Sequence, residues 1–325
     1  MTGNTAHPPI IHSEVFMVQY YLLIPLSQTL LGLATFTEKL FAKKSGGYIP
    51  NNLLYSAGIA ICSLFIYSVM AGFNLTPDSE ILGYAAIYGM LYALSMTCIF
   101  TAYKHINMIV YSVFGKSSAI IVCIIGIAFL GDTPSATTII SVCLLFASIL
   151  LPLLSAAKEK KRGKVIVSII LCLSSMLIGT GVSLTVKGFT SLASYTPERA
   201  SAFYFYANIF TFIYLLFAVL ITTRKPKDGV PSRFAKGIGL KATFLKVNPR
   251  LYILVPIVAT VANIPTVLNT VAMRYLDLSV YTVISGALAL LVLFCISKFI
   301  FKEKSTPLEI AGLIISGSAG IIACF

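Results

Sequence analysis

Residues 104–119 read KHINMIVYSVFGKSSA, and residues 274–289 read RYLDLSVYTVISGALA. The two stretches align without a gap, and VYSV in the first corresponds to VYTV in the second. A second pair of similar segments, SLFIY at 63–67 and FTFIY at 210–214, precedes them in the same order. Self-similarity of this kind indicates that the chain contains two copies of one structural unit.

The composition places both copies in a membrane. Hydrophobic residues make up 58% of the chain and charged residues 11%, whereas a soluble domain has about 25% charged residues. A membrane-spanning helix needs about 20 mostly apolar residues, and ten stretches meet this requirement. The stretches are apolar on all sides rather than alternating, which predicts helices and not barrel strands. The predicted spans are 18–42, 50–73, 80–103, 107–130, 133–156, 165–188, 199–222, 251–273, 277–300 and 306–325.

The predicted fold is therefore an all-α integral membrane protein with ten transmembrane helices in two five-helix repeats. Because five is odd, the two copies must cross the membrane in opposite orientations. Inverted repeats are typical of secondary transporters, whose substrate site lies near the midplane between the halves. The predicted organisation is a polar N-terminal segment (1–17), repeat 1 (18–156), a basic linker (157–164) and repeat 2 (165–325), which includes a long basic loop at 223–250.

The net charge of +13 is explained by topology and does not predict a nucleic-acid partner. All but four of the 24 Lys and Arg residues fall at alternate connections, those that join odd-numbered spans to the next span. The exceptions are Lys187, Arg199 and Arg274 on the other side, and Lys116 inside a span. By the positive-inside rule the basic connections face the cytoplasm and both termini face away from it. The chain shows no organelle address, which favours a bacterial inner membrane over an endomembrane.

Lys116 is the leading candidate for substrate binding. It lies about nine residues into the span 107–130, or roughly 14 Å deep at 1.5 Å per residue. A lysine at the centre of a membrane helix costs about 3 kcal/mol, and such residues usually face a cavity or a partner. A cavity-facing Lys116 would bind a carboxylate, a phosphate or another anion. The alternative is a structural ion pair with Glu38.

Other polar residues within the spans are candidates for the same site. Tyr84, Tyr88 and Tyr92 follow each other at four-residue spacing and share one helix face. Asn263 and Asn269 flank Pro265, which removes a backbone donor from its helix, and interrupted helices often mark the site in carriers. Tyr206 is a further candidate. For the tyrosines, plain helix packing or interfacial anchoring is the alternative.

Glu38 is the one carboxylate that lies clearly inside a predicted span. It is a candidate for coupling or gating, because a buried carboxylate can exchange a proton during transport. The alternative is an ion pair at the cytoplasmic mouth. The absence of a second deep acid argues against obligate coupling to protons or sodium.

Several classes of activity are excluded or disfavoured. The sequence has no G-x-x-x-x-G-K-[ST] loop for ATP hydrolysis, and no cysteine or histidine pattern for a metal. No Ser–His–Asp set occurs within the spans, so no enzyme activity, cofactor or metal is predicted. A membrane-embedded enzyme and a channel remain the alternatives from other classes.

The segment FIFKEKSTPLEIAGLIISGSAGIIA (299–323) resembles the end of the EamA-type repeat in the drug/metabolite transporter superfamily. The corresponding positions are Glu303, Thr306, Gly312, Gly317 and Gly320; the first copy has Asp132 in place of the glutamate. VFGKSSAIIVCIIGIAFLGD (113–132) is similar to one helix of the nucleotide-sugar branch, but GALAL (286–290) has Leu290 where that branch has a second lysine. The resemblance implies a ten-helix carrier. Members of the superfamily transport nucleotide sugars, sugar phosphates, amino acids or drug-like cations.

Together these observations predict a carrier for a small polar metabolite, anionic or zwitterionic. The predicted site lies among the spans 80–103, 107–130, 251–273 and 277–300. Lys116 would bind an anionic group opposite Tyr88 and Tyr92, and Asn263 and Asn269 would approach from the other repeat. In the alignment of the two copies, Lys116 of repeat 1 corresponds to Gly286 of repeat 2, so only repeat 1 carries a charge at this position.

Overall fold

The computed structural model describes residues 13–44, 49–102, 121–122, 124–128, 135–157, 162–223, 252–300, 302 and 306–322. Within these ranges the regular secondary structure is helical, and no β-strand occurs. The predicted all-α class is confirmed for this part of the chain. The helices are α1 (Ser13–Lys44), α2 (Ile49–Met70), α3 (Ser79–Ala102), α4 (Ala136–Ala157), α5 (Arg162–Thr190), α6 (Pro197–Thr223), α7 (Leu254–Tyr275), α8 (Leu278–Cys295, continued by a π-helical turn Ile296–Ile300) and α9 (Pro307–Ile322).

These helices coincide with the predicted membrane spans, and their ends agree within a few residues. The predicted span 107–130 is described only at residues 121–122 and 124–128, which are helical. Five of the helices, α2, α3, α6, α7 and α8 with its π-helical turn, are long and apolar enough to cross a bilayer. The protein is therefore a multi-pass membrane protein with an all-α described structure.

The outer surface of the bundle is apolar. Phe65 is 70% exposed and Phe217 is 63% exposed, and Ile314 and Ile321 on α9 are similarly open. Large exposed side chains of this kind would form an aggregation-prone patch in water. In the hydrocarbon of a bilayer, the same side chains contact lipid tails that are equally apolar. The backbone also tolerates this environment, because its hydrogen bonds are satisfied within each helix.

The helices pack in a definite set of pairs. α2 packs along α6, and α4 packs along α9. α1 contacts α7 while α3 contacts α5, and α2 also contacts α7 while α3 contacts α6. α8 lies against α1 and α9. The result is an inner group of helices with α4 and α9 together at one side.

A glycine sets the distance between α3 and α6. A Cβ atom at Gly89 would lie 2.7 Å from the Phe210 Cβ, 2.8 Å from the Thr211 backbone nitrogen and 2.9 Å from the Ala207 carbonyl oxygen. Two of these three neighbours are backbone atoms. Small residues allow such close backbone approach between membrane helices, where van der Waals packing drives association.

Three connections lie at one end of the bundle, which we call the clamped end: residues 71–78, 191–196 and 276–277. Beneath them lies one hydrophobic cluster with buried side chains from α1, α2, α3, α5, α6, α7 and α8. Aromatic rings form its centre. Phe189 stacks on Phe203 with ring centroids 4.4 Å apart, and Tyr67 stacks on Tyr204 at 5.3 Å. The inner helices are thus packed together at this end.

A charged cluster joins α3 to α6 at the clamped end. The Arg199 Nη2 atom lies 2.5 Å from the Asp78 Oδ2 atom and 3.2 Å from the Glu80 Oε2 atom. Ser194 Oγ donates a hydrogen bond of 3.0 Å to Glu80. Asp78 also caps α3, because its Oδ1 atom accepts from the Ile81 backbone N–H at 2.8 Å. We call Arg199, Asp78, Glu80 and Ser194 the Arg199 latch.

Two further cations join the ends of α5 and α7. Lys187 Nζ, in the last turn of α5, donates to the carbonyl oxygens of Met273 at 3.0 Å and Leu276 at 3.4 Å. Arg274, in the last turn of α7, donates to the carbonyl oxygen of Thr190. Lys187 of α5 therefore satisfies carbonyl groups at the end of α7, and Arg274 of α7 satisfies one at the end of α5. The dipole of each helix also favours positive charge at its C-terminal end.

Arg274 makes a second contact in the connection between α5 and α6. Its guanidinium carbon lies 5.2 Å from the centre of the Tyr195 ring. Burial raises the pKa of the Tyr195 phenol, although Arg274 acts in the opposite direction. The phenol is therefore neutral near pH 7, and the contact is a cation–π interaction rather than an ion pair.

The opposite end of the bundle, where α1 ends at Lys44 and α2 begins at Ile49, has separate smaller clusters in its described part. One joins α2, α3 and α6 through Leu53, Met96 and Leu215. A second joins α1, α2 and α7, with Phe41 stacked on Tyr55 at 4.1 Å. A third places Ile296 and Leu293 beside Phe36.

Candidate functional site

A cavity of about 420 Å³ lies inside the bundle. It is lined by α1, α2, α3, α5, α6, α7 and α8, and by Val122. The prediction placed the site among four spans, but the structure adds α1, α2, α5 and α6 to its walls. The reason is that these helices are inner members of the bundle, and their small or hydroxyl-bearing faces turn inward. The polar and aromatic lining residues are Gln28, Thr35, Glu38, Ser56, Ser63, Tyr67, Tyr88, Tyr92, Ser183, Tyr204, Asn208, Thr211, Asn263, Thr266, Asn269, Thr270, Tyr281, Thr282 and Ser285.

Helical periodicity explains why these residues share the cavity. Gln28, Thr35 and Glu38 are spaced by seven and three residues on α1, so they lie on one face. Tyr88 and Tyr92 are four residues apart on α3 and share a face in the same way. The helices α1, α2, α3, α6, α7 and α8 each present two or more polar or tyrosine side chains to the cavity.

Tyrosines form the aromatic wall of the cavity. Tyr88 and Tyr92 are stacked with ring centroids 5.8 Å apart and an interplanar angle of 8°. Tyr88 also meets the Tyr204 ring edge to face at 5.7 Å. The structure therefore brings both predicted tyrosines to the cavity, half-buried and within one aromatic group. That group continues into the hydrophobic cluster of the clamped end.

The predicted asparagines of α7 also lie at the cavity, and each bonds a serine of the first half of the chain. Asn263 donates through Nδ2 to Ser63 Oγ of α2 at 2.8 Å. Ser27 Oγ of α1 lies 2.6 Å from Asn269 Oδ1 and donates to it. Pro265, which is buried, lies between the two asparagines. The amide groups thus connect the two halves of the chain from either side of this proline.

Glu38 lines the cavity and supplies the one charged side chain of its described wall. Within the described residues its carboxylate has neither a hydrogen bond nor an ion pair. The alternative prediction was an ion pair of Glu38 at the cytoplasmic mouth, and the described residues do not provide a cation for it.

Two predicted site residues do not join this group. Lys116 lies outside the described residues, so its role stays a prediction. Tyr206 is absent from the cavity lining, and its hydroxyl donates to the Leu75 carbonyl oxygen at 2.6 Å. At about 100° per residue, Tyr206 is turned roughly 200° from Tyr204 and Asn208, which do face the cavity.

Several lining residues were missed from the sequence. Tyr67 and Tyr204 are almost fully buried, and a 2.5 Å hydrogen bond joins Tyr204 Oη to Thr270 Oγ1. Tyr281 and Gln28 were missed as well. A usable signal existed in α2, where Ser56, Ser63 and Tyr67 recur at seven and four residues on one face.

No group of three or more metal-binding side chains occurs within the described residues. The lining instead provides hydroxyl and amide groups, aromatic faces and one carboxylate. In ligand pockets generally, polar groups of these kinds fix the orientation of a small molecule through hydrogen bonds.

No family model and no curated protein matches the sequence. Among solved structures, a chain titled "Crystal structure of protein" matches with a TM-score of 0.60. The match covers 96% of this chain and 98% of that chain, at 13% sequence identity. The fold of this chain is therefore similar to that of a solved structure over nearly its whole length.

Proposed function

We propose that the protein is a ten-helix secondary carrier of the drug/metabolite type, which moves a small polar metabolite by alternating access. The observation that carries this proposal is the central cavity, whose polar lining comes from both halves of the chain. Carriers bind substrate near the midplane between two halves and expose it to each side in turn.

The helix packing supports the inverted repeat that such a carrier requires. We pair α1 with α5, α2 with α6, α3 with α7 and α4 with α9. Exchanging the members of each pair converts the α1–α7 contact into the α5–α3 contact, and the α3–α6 contact into the α7–α2 contact. The α2–α6 and α4–α9 contacts are converted into themselves. This is the pattern expected of two copies related by a two-fold axis in the membrane plane.

For the substrate we propose an anionic or zwitterionic metabolite, with Lys116 as its anion site. Tyr88, Tyr92, Asn263 and Asn269 would bind its uncharged parts. Glu38 would serve coupling or gating. A second candidate function is an exporter of amino acids or drug-like cations. The observation in its favour is that Glu38 and tyrosine rings line the same cavity, because carboxylates and aromatic rings both attract cations.

The proposed setting is a bacterial inner membrane with the basic connections in the cytoplasm. In that orientation the clamped end faces away from the cytoplasm. The support is the distribution of Lys and Arg. A reporter fused after Phe325 should then be active only on the non-cytoplasmic side, and activity in the cytoplasm would reverse the orientation.

The test begins with a thermal-shift screen of metabolite pools on the purified protein, followed by counterflow in proteoliposomes. A carrier exchanges labelled for unlabelled substrate, whereas a channel or an embedded enzyme does not. Lys116→Met should abolish exchange and leave the melting temperature unchanged or higher, since a lysine inside a predicted membrane span is costly. Tyr206→Phe is the control outside the cavity and should retain exchange. Normal exchange by Lys116→Met would exclude the anion site.

A further inference from the structure

The contacts made by charged side chains at the clamped end fall into two groups, according to the halves of the chain that they join. Lys187 and Arg274 join α5 to α7, which both belong to the second half. The Arg199 latch joins α6 of the second half to α3 of the first half. Movement of one half against the other therefore leaves the first group intact and must break the second.

The position of the latch links it to the cavity. Arg199 is in the first turn of α6, and Tyr204 follows five residues later on the same helix and lines the cavity. On α3, Glu80 is in the first turn and Tyr88 is two turns further along. Tyr88 meets Phe203 and Tyr204 ring to edge at 5.6 and 5.7 Å. Separation of the first turns of α3 and α6 would thus open these aromatic contacts, which lie between the latch and the cavity.

The exposure of the latch suits reversible opening. The side chains of Arg199, Asp78 and Glu80 are 28%, 41% and 50% exposed. Water can therefore solvate all three charges when the pair separates, and exposed pairs of this kind shift an equilibrium by no more than about fivefold each. A fully buried pair would be left as uncompensated charges on opening, which is strongly unfavourable.

We propose that the clamped end is the closed gate of the carrier and that the Arg199 latch holds it shut. This proposal rests on the proposed function, since only a carrier needs the cavity to open at both ends in turn. In the open state Arg199 separates from Asp78 and Glu80, while the Lys187 and Arg274 contacts keep α5 and α7 together. Asp78 continues to cap α3 in both states through its other oxygen.

The experiment measures access to the cavity and needs no substrate. Ser183, which lines the cavity on α5, is replaced by cysteine as a reporter. The protein is placed in sealed vesicles of known orientation, and a membrane-impermeant maleimide is added to one side at a time. Protein without the reporter gives the background from the seven native cysteines.

Arg199→Gln should raise reporter labelling from the clamped side about five- to tenfold, because two charge contacts are lost. The matched control is Lys44→Gln, which removes an exposed cation at the opposite end and should leave labelling unchanged. Arg199→Lys should stay within about twofold of the parent. Adding Glu80→Gln to Arg199→Gln should give no further increase, since the two residues act as one unit.

Equal labelling in Arg199→Gln and Lys44→Gln would overturn the latch. Rapid labelling of the unmodified reporter protein from the clamped side would overturn the closed gate itself. Glu80→Gln is a milder change that tests the same contact if Arg199→Gln fails to fold. If labelling follows the expected pattern but no metabolite is exchanged in counterflow, the Arg199 latch still closes the cavity at the clamped end, whereas the carrier proposal fails.

Discussion

The two ends of the bundle differ in how their helices are held together. At the clamped end one hydrophobic cluster joins the inner helices, and cations connect α3 to α6 and α5 to α7. At the opposite end the described residues form separate clusters, each belonging to one wall of the cavity. Among the described residues, the contacts that join the inner helices are concentrated at the clamped end, which is what the proposed carrier would show in one state of its alternating-access cycle.

The largest expected effect comes from removing an aromatic ring at each end. Phe203 at the clamped end and Phe41 at the opposite end are both fully buried. Phe203→Ala should lower the free energy of unfolding by about 4 kcal/mol, and Phe41→Ala by about 3 kcal/mol, because a small cluster can relax around the void. The free energies of unfolding of both variants can be measured in mild detergent by circular dichroism, because the chain has no tryptophan for a fluorescence assay.

Labelling of the Ser183→Cys reporter tests whether Phe203→Ala and Phe41→Ala differ in their effect on access to the cavity. Phe203→Ala should increase access from the clamped side, because its ring packs between the latch and the cavity. Phe41→Ala should not. If both variants, or neither, increased access from that side, the two ends would not differ in the way described.

A second large effect is expected at the contact between α3 and α6. Gly89→Ala places a Cβ atom against backbone atoms of α6 and should destabilise the protein by about 3 kcal/mol. Gly83→Ala on the same helix meets nothing within 4 Å, so it should be neutral or stabilise by at most about 1 kcal/mol. Melting curves of the two variants check the difference, and a neutral Gly89→Ala would show that α3 and α6 are not in backbone contact.

The cations that connect α5 and α7 should contribute an intermediate amount. Lys187→Met leaves the Met273 and Leu276 carbonyl groups without this donor and should cost about 2 kcal/mol, as for other hydrogen bonds to charged groups. Lys44→Met at the opposite end should cost about 0.5 kcal/mol, because it loses only the interaction with its helix dipole. Chemical denaturation of both variants measures the difference. Equal losses of unfolding free energy in the two variants would indicate that the Lys187 contacts with carbonyl groups do not stabilise the clamped end.

The smallest effect concerns Tyr206. Tyr206→Phe removes one hydrogen bond to the Leu75 carbonyl oxygen, which should cost about 0.5 kcal/mol. Binding of a ligand found in the thermal-shift screen should be unchanged, whereas Tyr92→Phe should weaken it. A loss of binding in Tyr206→Phe would return that residue to the site.

The sequence was sufficient for the helices of the described residues and for part of the cavity lining. Runs of about 20 apolar residues predict helix positions well, because a helix in lipid must satisfy its own backbone. Tyr88, Tyr92, Asn263 and Asn269 were found because polar groups within apolar runs are costly unless they face a cavity or a partner.

Other features depended on contacts that a sequence does not contain. Which face of α6 turns inward is decided by its neighbours α2 and α3, so Tyr206 and Tyr204 were interchangeable from the sequence alone. Arg199, Lys187 and Arg274 were recognised only as exceptions to the charge distribution. Their partners are Asp78 and Glu80 or backbone carbonyl groups, more than 80 residues away along the chain.

The contact at Gly89 has a mechanical consequence. Because the α3 and α6 backbones touch there without an intervening side chain, sliding or lifting one helix off the other loses that contact at once. Rocking of one helix on the other about this contact preserves it and moves the two arms of the rocking helix in opposite senses, as in a seesaw. The first turns of α3 and α6 can then part while their last turns approach, so a single fulcrum would link opening at one face of the membrane to closing at the other.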